Sequence, residues 1–161
     1  MGIMHKIGMA ELDVCKAPDS ITTLGLGSCI GCVIYDPTTK ICGMVHVMLP
    51  DSTKIRNNET IAKFADTGVK ELHRLVLKAG ANKLKLVAKI AGGAQMFPFK
   101  DGNDMLRVGE RNSEGVLKAL KELNIPVLAQ ETGGSVGRTI EFYPEDGRLL
   151  IKSVGKTPYA V

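Results

Sequence analysis

Residues suited to nucleophilic chemistry concentrate between positions 22 and 50. Gly25 and Gly27 come just before Ser28 and Cys29, so the backbone can turn sharply there and expose its N–H groups beside a thiol. Such N–H groups can bind a developing oxyanion, and positive local dipoles favour a thiolate. The segment therefore fits a cysteine nucleophile, although the same glycines could simply join two strands.

A predicted hairpin brings a histidine close to this cysteine. If Asp36 begins a four-residue type I loop, Tyr35 pairs with Lys40. In the same register, His46 lies opposite Cys29. Directly paired residues have Cβ atoms about 5 Å apart, which is within reach of a thiol to imidazole hydrogen bond. The sequence thus predicts a Cys-His dyad, whereas a three-residue loop would turn His46 to the other face.

Cysteine hydrolases normally need a third group that fixes the imidazole tautomer. Thr22 and Thr23 are the polar candidates near this hairpin. Thr23 stands on a strand that we expect to neighbour the hairpin, so its hydroxyl or its backbone carbonyl could hold His46. The simpler alternatives are a β-branched strand former at Thr23 and a hydrogen-bonded core histidine at His46.

A zinc site is the competing interpretation of the same residues. Cys29-x-x-Cys32 and Cys42-x-x-x-His46 supply three sulfur atoms and one nitrogen, which is the right ligand count. The predicted register puts Cys29, Cys42 and His46 on one face of the hairpin and Cys32 on the other. We therefore favour catalysis over metal binding.

Length and composition predict a single globular domain over residues 1–161. The chain is 44% hydrophobic and 24% charged, with a net charge of +4. Its Lys and Arg residues are scattered among acids and are not interleaved with aromatic residues, which argues against nucleic acid. No apolar run reaches the about 20 residues of a membrane helix, and no secretory signal is seen. We expect a cytoplasmic protein without membrane insertion.

Hydrophobic patterns predict a mixed or antiparallel α+β fold. Short apolar segments predict strands at 3–9, 21–25, 30–35, 41–49, 84–91, 126–130, 138–143 and 148–154. Apolar residues three and four positions apart predict helices over 59–79 and 113–123. This order lacks the regular alternation of a doubly wound sheet.

Several spaced segments resemble the CheD family of chemoreceptor glutamine deamidases. They are TLGLGSC at 23–29, HVMLPDS at 46–52, FADTGV at 64–69, AKIAGGAQMF at 88–97, GERN at 109–112 and ETGG with GRTIEF at 131–142. The resemblance implies a mixed β-sheet sandwich flanked by two main helices. It also implies hydrolysis of chemotaxis-receptor glutamines to glutamate, with Cys29 as nucleophile, His46 as base and Thr23 as third member.

The resemblance further implies a mechanism with no metal and no organic cofactor, in which backbone N–H groups near Gly27 and Ser28 bind the oxyanion. The implied partners are the receptor cytoplasmic domain, as substrate, and a CheC-type phosphatase. In the alternative, the chain is mainly a regulatory partner of that phosphatase. Phe97 and Phe99 predict either a docking patch or a plug over the core. The resemblance implies no role for Cys15, Cys32 or Cys42.

Overall fold

The computed structural model describes residues 2–95 and 107–161, which form two mixed five-stranded sheets and two α-helices. The strands are β1 Met4–Ile7, β2 Leu12–Lys16, β3 Ser20–Leu26, β4 Ile30–Asp36, β5 Ile41–Val47, β6 Val87–Gly92, β7 Val127–Thr132, β8 Arg138–Tyr143, β9 Arg148–Lys152 and β10 Tyr159–Ala160. The helices are α1 Ala65–Lys78 and α2 Val108–Glu122, and short 3₁₀ turns cover Ser52–Lys54, Ile61–Lys63 and Lys83–Lys85.

The two sheets and the helices form three layers. Sheet 1 has the strand order β1-β3-β8-β9-β10, and sheet 2 has the order β2-β5-β4-β6-β7. One core lies between the sheets, and a second core lies between sheet 2 and the two helices. The predicted α+β sandwich flanked by two helices is confirmed. No helix within the described ranges is long and apolar enough to span a membrane.

Strands β4 and β5 form the centre of the fold because both of their faces are covered. Every residue of both strands is buried, which explains their nearly continuous apolar sequence. Side chains alternate between the two cores: Cys32 and Val45 face the helices, whereas Val33 and Met44 face sheet 1.

The pairing register between β4 and β5 is displaced by two residues from the predicted register. Asp36 pairs with Ile41, and Tyr35 pairs with Cys42 rather than Lys40. The Asp36 carboxylate accepts the Thr38 backbone N–H at 2.8 Å, so this side chain holds the loop while its own backbone stays in the strand. The loop is therefore 37–40. A shift of two residues preserves the face on which each side chain lies.

Other element boundaries also differ from the sequence prediction. Helix α1 starts at Ala65 rather than at 59, because the Met48 and Leu49 N–H groups both donate to Lys63 O and hold the preceding segment outside the helix. The predicted end near Gly80 is confirmed, with φ +116 at that glycine.

Helix α2 starts five residues earlier than predicted, at Val108. The short strands β2 and β10 lie outside the predicted set.

Cys32 provides a test of this layering, because it is fully buried on the helix side of sheet 2. Cys32→Ala should lower the free energy of unfolding by about 1 kcal/mol through the cavity and lost contacts. Urea denaturation measures this change. Val154→Ala is the control, since Val154 is 92% exposed, and an equal loss in both variants would contradict the assignment.

Candidate active site

The candidate nucleophile lies in the loop where the chain passes from one sheet to the other. Strand β3 belongs to sheet 1 and β4 to sheet 2, so residues 27–29 cross between the layers. Cys29 joins the core between the sheets and is 8% exposed. A register shift in β3 between Thr23 and Leu26, with φ +68 at Gly25, turns the backbone just before this loop.

His46 lies on the same face of sheet 2 as Cys29 but is paired with a different residue. It is fully buried and stands opposite Gly31, not opposite Cys29 as predicted. Cys29 lies two residues before Gly31, in the loop that precedes β4, and its side chain packs in the core between the sheets. The predicted shared face is correct, and the direct pairing is wrong because the hairpin loop begins one residue later.

A hydrogen bond across the sandwich joins His46 to Thr23. The Thr23 hydroxyl donates to Ile7 O at 2.9 Å, so its oxygen accepts the hydrogen of His46 Nδ1 at 2.7 Å. Thr23 belongs to the opposite sheet rather than to a strand beside the hairpin as predicted. This network assigns the proton of neutral His46 to Nδ1 and leaves the lone pair on Nε2.

His46 Nε2 carries the lone pair with which this site can accept a proton. Within residues 2–95 and 107–161, Nε2 is buried and makes no hydrogen bond. Burial lowers the pKa of the His46 imidazole and raises the pKa of the Cys29 thiol, because both charged forms lose hydration. Both shifts favour the uncharged forms of the two groups.

All three carbonyl groups of the crossing loop are anchored. Gly27 O accepts the Ala94 N–H at 2.8 Å, and Cys29 O accepts the Gly93 N–H at 2.9 Å. Ser28 O accepts Nδ2 of Asn112 at 2.9 Å. The loop is thus held from one side by the segment after β6 and by helix α2.

The N–H groups of the same loop are used differently. Gly27 N–H donates to Gly25 O at 3.0 Å, so it is not free to bind an oxyanion as the sequence prediction required. The N–H groups of Ser28 and Cys29 donate to no group in the described part of the chain. Ser28 and Cys29, rather than Gly27 and Ser28, therefore carry the available donors.

Asn112 is the residue that sequence reasoning overlooked. It lies on α2, is fully buried, and its Nδ2 donates to both Ser28 O and Met48 O at 2.9 Å. The available signal was its place in the GERN segment at 109–112, because the predicted helix began only at 113.

The four residues of the zinc interpretation do not converge. Cys32 faces the helices, and burial raises its pKa to about 12. Cys42 contacts Cys15 instead, with their Sγ atoms 3.4 Å apart. Within the described ranges no three His, Cys, Asp or Glu side chains form a group that could hold a metal ion.

Phe97 and Phe99, the predicted docking patch or plug, lie outside the described residues. Two grooves border the crossing loop. One, of about 460 Å³, includes Gly93 in its lining, and the other, of about 470 Å³, includes Gly25. Neither groove is lined by Cys29 or His46, and both of these side chains are buried.

Comparison with known proteins identifies close relatives. A family model described as CheD chemotactic sensory transduction matches residues 48–153. The chain is 69% identical to a probable chemoreceptor glutamine deamidase CheD of Lachnoclostridium phytofermentans, over 97% of each chain. It is 53% identical to a chemoreceptor glutamine deamidase CheD of Halalkalibacterium halodurans, over 96% of each chain. The family model begins just after His46, whereas these alignments span nearly the whole chain.

The resting protonation state can be tested by alkylation of Cys29 with iodoacetamide. Since burial raises the pKa of this thiol, the alkylation rate should rise with pH with a midpoint above about 8.5, the ordinary thiol pKa. His46→Gln should leave the midpoint unchanged, because a neutral imidazole does not stabilise the thiolate. Mass spectrometry of the Cys29 peptide separates it from the other thiols. A midpoint below 7 that rises in His46→Gln would instead show a resting ion pair.

Proposed function

This chain belongs to the CheD family, and we propose that it hydrolyses glutamine side chains of chemotaxis receptors to glutamate. Its relatives at 69% and 53% identity are named chemoreceptor glutamine deamidases. The observation that carries the proposal is the hydrogen bond from His46 Nδ1 to Thr23, because it leaves Nε2 as a base on the face of Cys29.

In the first step, Cys29 attacks the side-chain amide of the glutamine. His46 Nε2 takes the thiol proton while Sγ bonds to the carboxamide carbon, so the ion pair forms only as the bond forms. The oxygen of the amide becomes an oxyanion, which the N–H groups of Ser28 and Cys29 stabilise. Thr23 holds the imidazole in the required tautomer and stays bound to the imidazolium.

The tetrahedral intermediate then collapses and releases ammonia. The protonated Nε2 of His46 gives its proton to the nitrogen as the C–N bond breaks, which leaves a thioester on Cys29. Neutral His46 next takes a proton from water, and the hydroxide adds to the thioester carbon. The C–S bond breaks, the proton returns to sulfur, and glutamate is released.

The substrate class fits the depth at which the thiol lies. A glutamine side chain is long enough to bring its amide to a thiol that lies just below the surface, where Cys29 is 8% exposed. We place the reaction in the cytoplasm, on the cytoplasmic domain of the receptor. We also propose a CheC-type phosphatase as a partner, because the family resemblance implies it.

The proposed function is tested by incubating the protein with receptor cytoplasmic fragments and measuring glutamine to glutamate conversion by peptide mass spectrometry. Conversion should occur with wild type and Cys32→Ala, and it should be abolished in Cys29→Ala. Cys32 is the matched control because it is a buried cysteine three residues away that faces the helices rather than the core between the sheets. Full activity in a folded Cys29→Ala protein would overturn the mechanism.

Thr23→Val should lower kcat about 100-fold, because the imidazole loses the acceptor that fixes its tautomer. Thr22→Val is the control, since the buried Thr22 hydroxyl donates to Ile140 O at 2.7 Å, whereas the His46 ring is hydrogen-bonded to Thr23. Each variant should lose about 1–3 kcal/mol of stability from its lost hydrogen bond to a buried carbonyl, and Thr23→Val should lose more because it also leaves the His46 Nδ1–H without an acceptor. Equal kcat values in the two variants would remove Thr23 from the mechanism. Steady-state deamidation and thermal melts measure both effects.

A further inference from the structure

The anchored carbonyls of the crossing loop determine where its free N–H groups point. In a trans peptide unit the C=O and the following N–H point in opposite directions. The Cys29 N–H shares a peptide unit with Ser28 O, which is held by Asn112, and the Ser28 N–H shares one with Gly27 O, which is held by Ala94. Both free donors are therefore directed away from α2 and from the segment after β6.

We propose that Asn112 is a positioning residue that orients the Ser28 to Cys29 peptide unit so that the Cys29 N–H serves as an oxyanion donor. This inference rests on the thioester mechanism proposed above and deepens it. Of the two anchors on these peptide units, Ala94 contributes a backbone N–H, so Asn112 is the only one of the two that acts through its side chain.

The chemistry of the Asn112 side chain fits this role. A primary amide nitrogen carries two hydrogens, and both are used, one on Ser28 O and one on Met48 O. Met48 follows the strand that carries His46, so one amide group links the loop of the nucleophile to the strand of the base. A hydroxyl has a single hydrogen and could not donate to both carbonyls.

The other atom of the same amide strengthens the argument. Asn112 Oδ1 is buried and has no hydrogen-bond partner in the described ranges, which is unfavourable for a polar atom. A flipped amide would place this oxygen against two carbonyl oxygens, so the orientation is fixed. A buried side chain with an unsatisfied oxygen is hard to explain by stability alone, whereas a requirement for the two nitrogen donors explains it.

The test compares two reactions of Cys29 that differ in their need for an oxyanion site. Acylation by p-nitrophenyl acetate passes through a tetrahedral oxyanion, whereas alkylation by iodoacetamide is a direct displacement that does not. Both rates are measured as the difference from Cys29→Ala, and neither requires a receptor. Failure of wild type to deamidate receptor fragments would therefore count against the proposed function without affecting this test.

Asn112→Ala should slow acylation of Cys29 and receptor deamidation by about 100-fold, with KM nearly unchanged, because one oxyanion donor is misplaced. Alkylation should stay within about twofold at every pH, because it depends on the thiolate and not on the oxyanion site. Asn112→Asp keeps the shape of the side chain but removes both donors, so it should also slow acylation and leave alkylation nearly unchanged. The control Val116→Ala creates a cavity on the same buried helix face and should change neither rate.

Three results would overturn the proposal. Acylation at the wild-type rate in a folded Asn112 variant would show that the amide does not orient a donor. Acylation and alkylation that fall together would show that Asn112 acts on the thiol. Loss of the fold in both Asn112→Ala and Asn112→Asp, observed by circular dichroism, would show that the residue is structural.

Discussion

The hydrogen bond between Thr23 and His46 is the constraint on which the site depends. A buried imidazole needs a partner for its N–H, and here the partner belongs to the opposite sheet. The tautomer of the base is therefore set by the packing of the two sheets and not by its own strand. Gly31, opposite His46, allows this packing, because a Cβ there would lie 2.6 Å from Ile140 Cδ1.

Burial of the reacting groups has a second consequence. Desolvation favours the uncharged forms of both Cys29 and His46, which lowers the fraction of thiolate at neutral pH. Since the thiolate is the form that oxidants and alkylating agents attack, the resting site is protected. In the mechanism that we propose, the charge separation forms in the presence of the substrate, where the imidazolium and the oxyanion are stabilised together.

The sequence allowed the shared face of Cys29, Cys42 and His46 to be predicted because strand periodicity survives a register error of two residues. The register itself could not be predicted, because it depends on the Asp36 carboxylate, which holds the loop. The location of Thr23 on the sheet opposite His46 could not be predicted either, since the sheet to which β3 belongs depends on long-range pairing with β1 and β8. Asn112 was missed for the same reason: its partners lie more than 60 positions away.

These long-range contacts make the active geometry a property of the complete fold. The crossing loop contains no regular secondary structure, and its carbonyls are held by the segment after β6 and by α2, which are far away in sequence. Gly92 shows how tight this assembly is, because it has φ +113 and a Cβ there would lie 2.2 Å from Cys29 O. Only the backbone of a glycine fits between the two strands at this point. The proposed hydrolytic site at Cys29 therefore forms only after both sheets and α2 have packed together, since the groups that hold the three loop carbonyls are all distant in sequence.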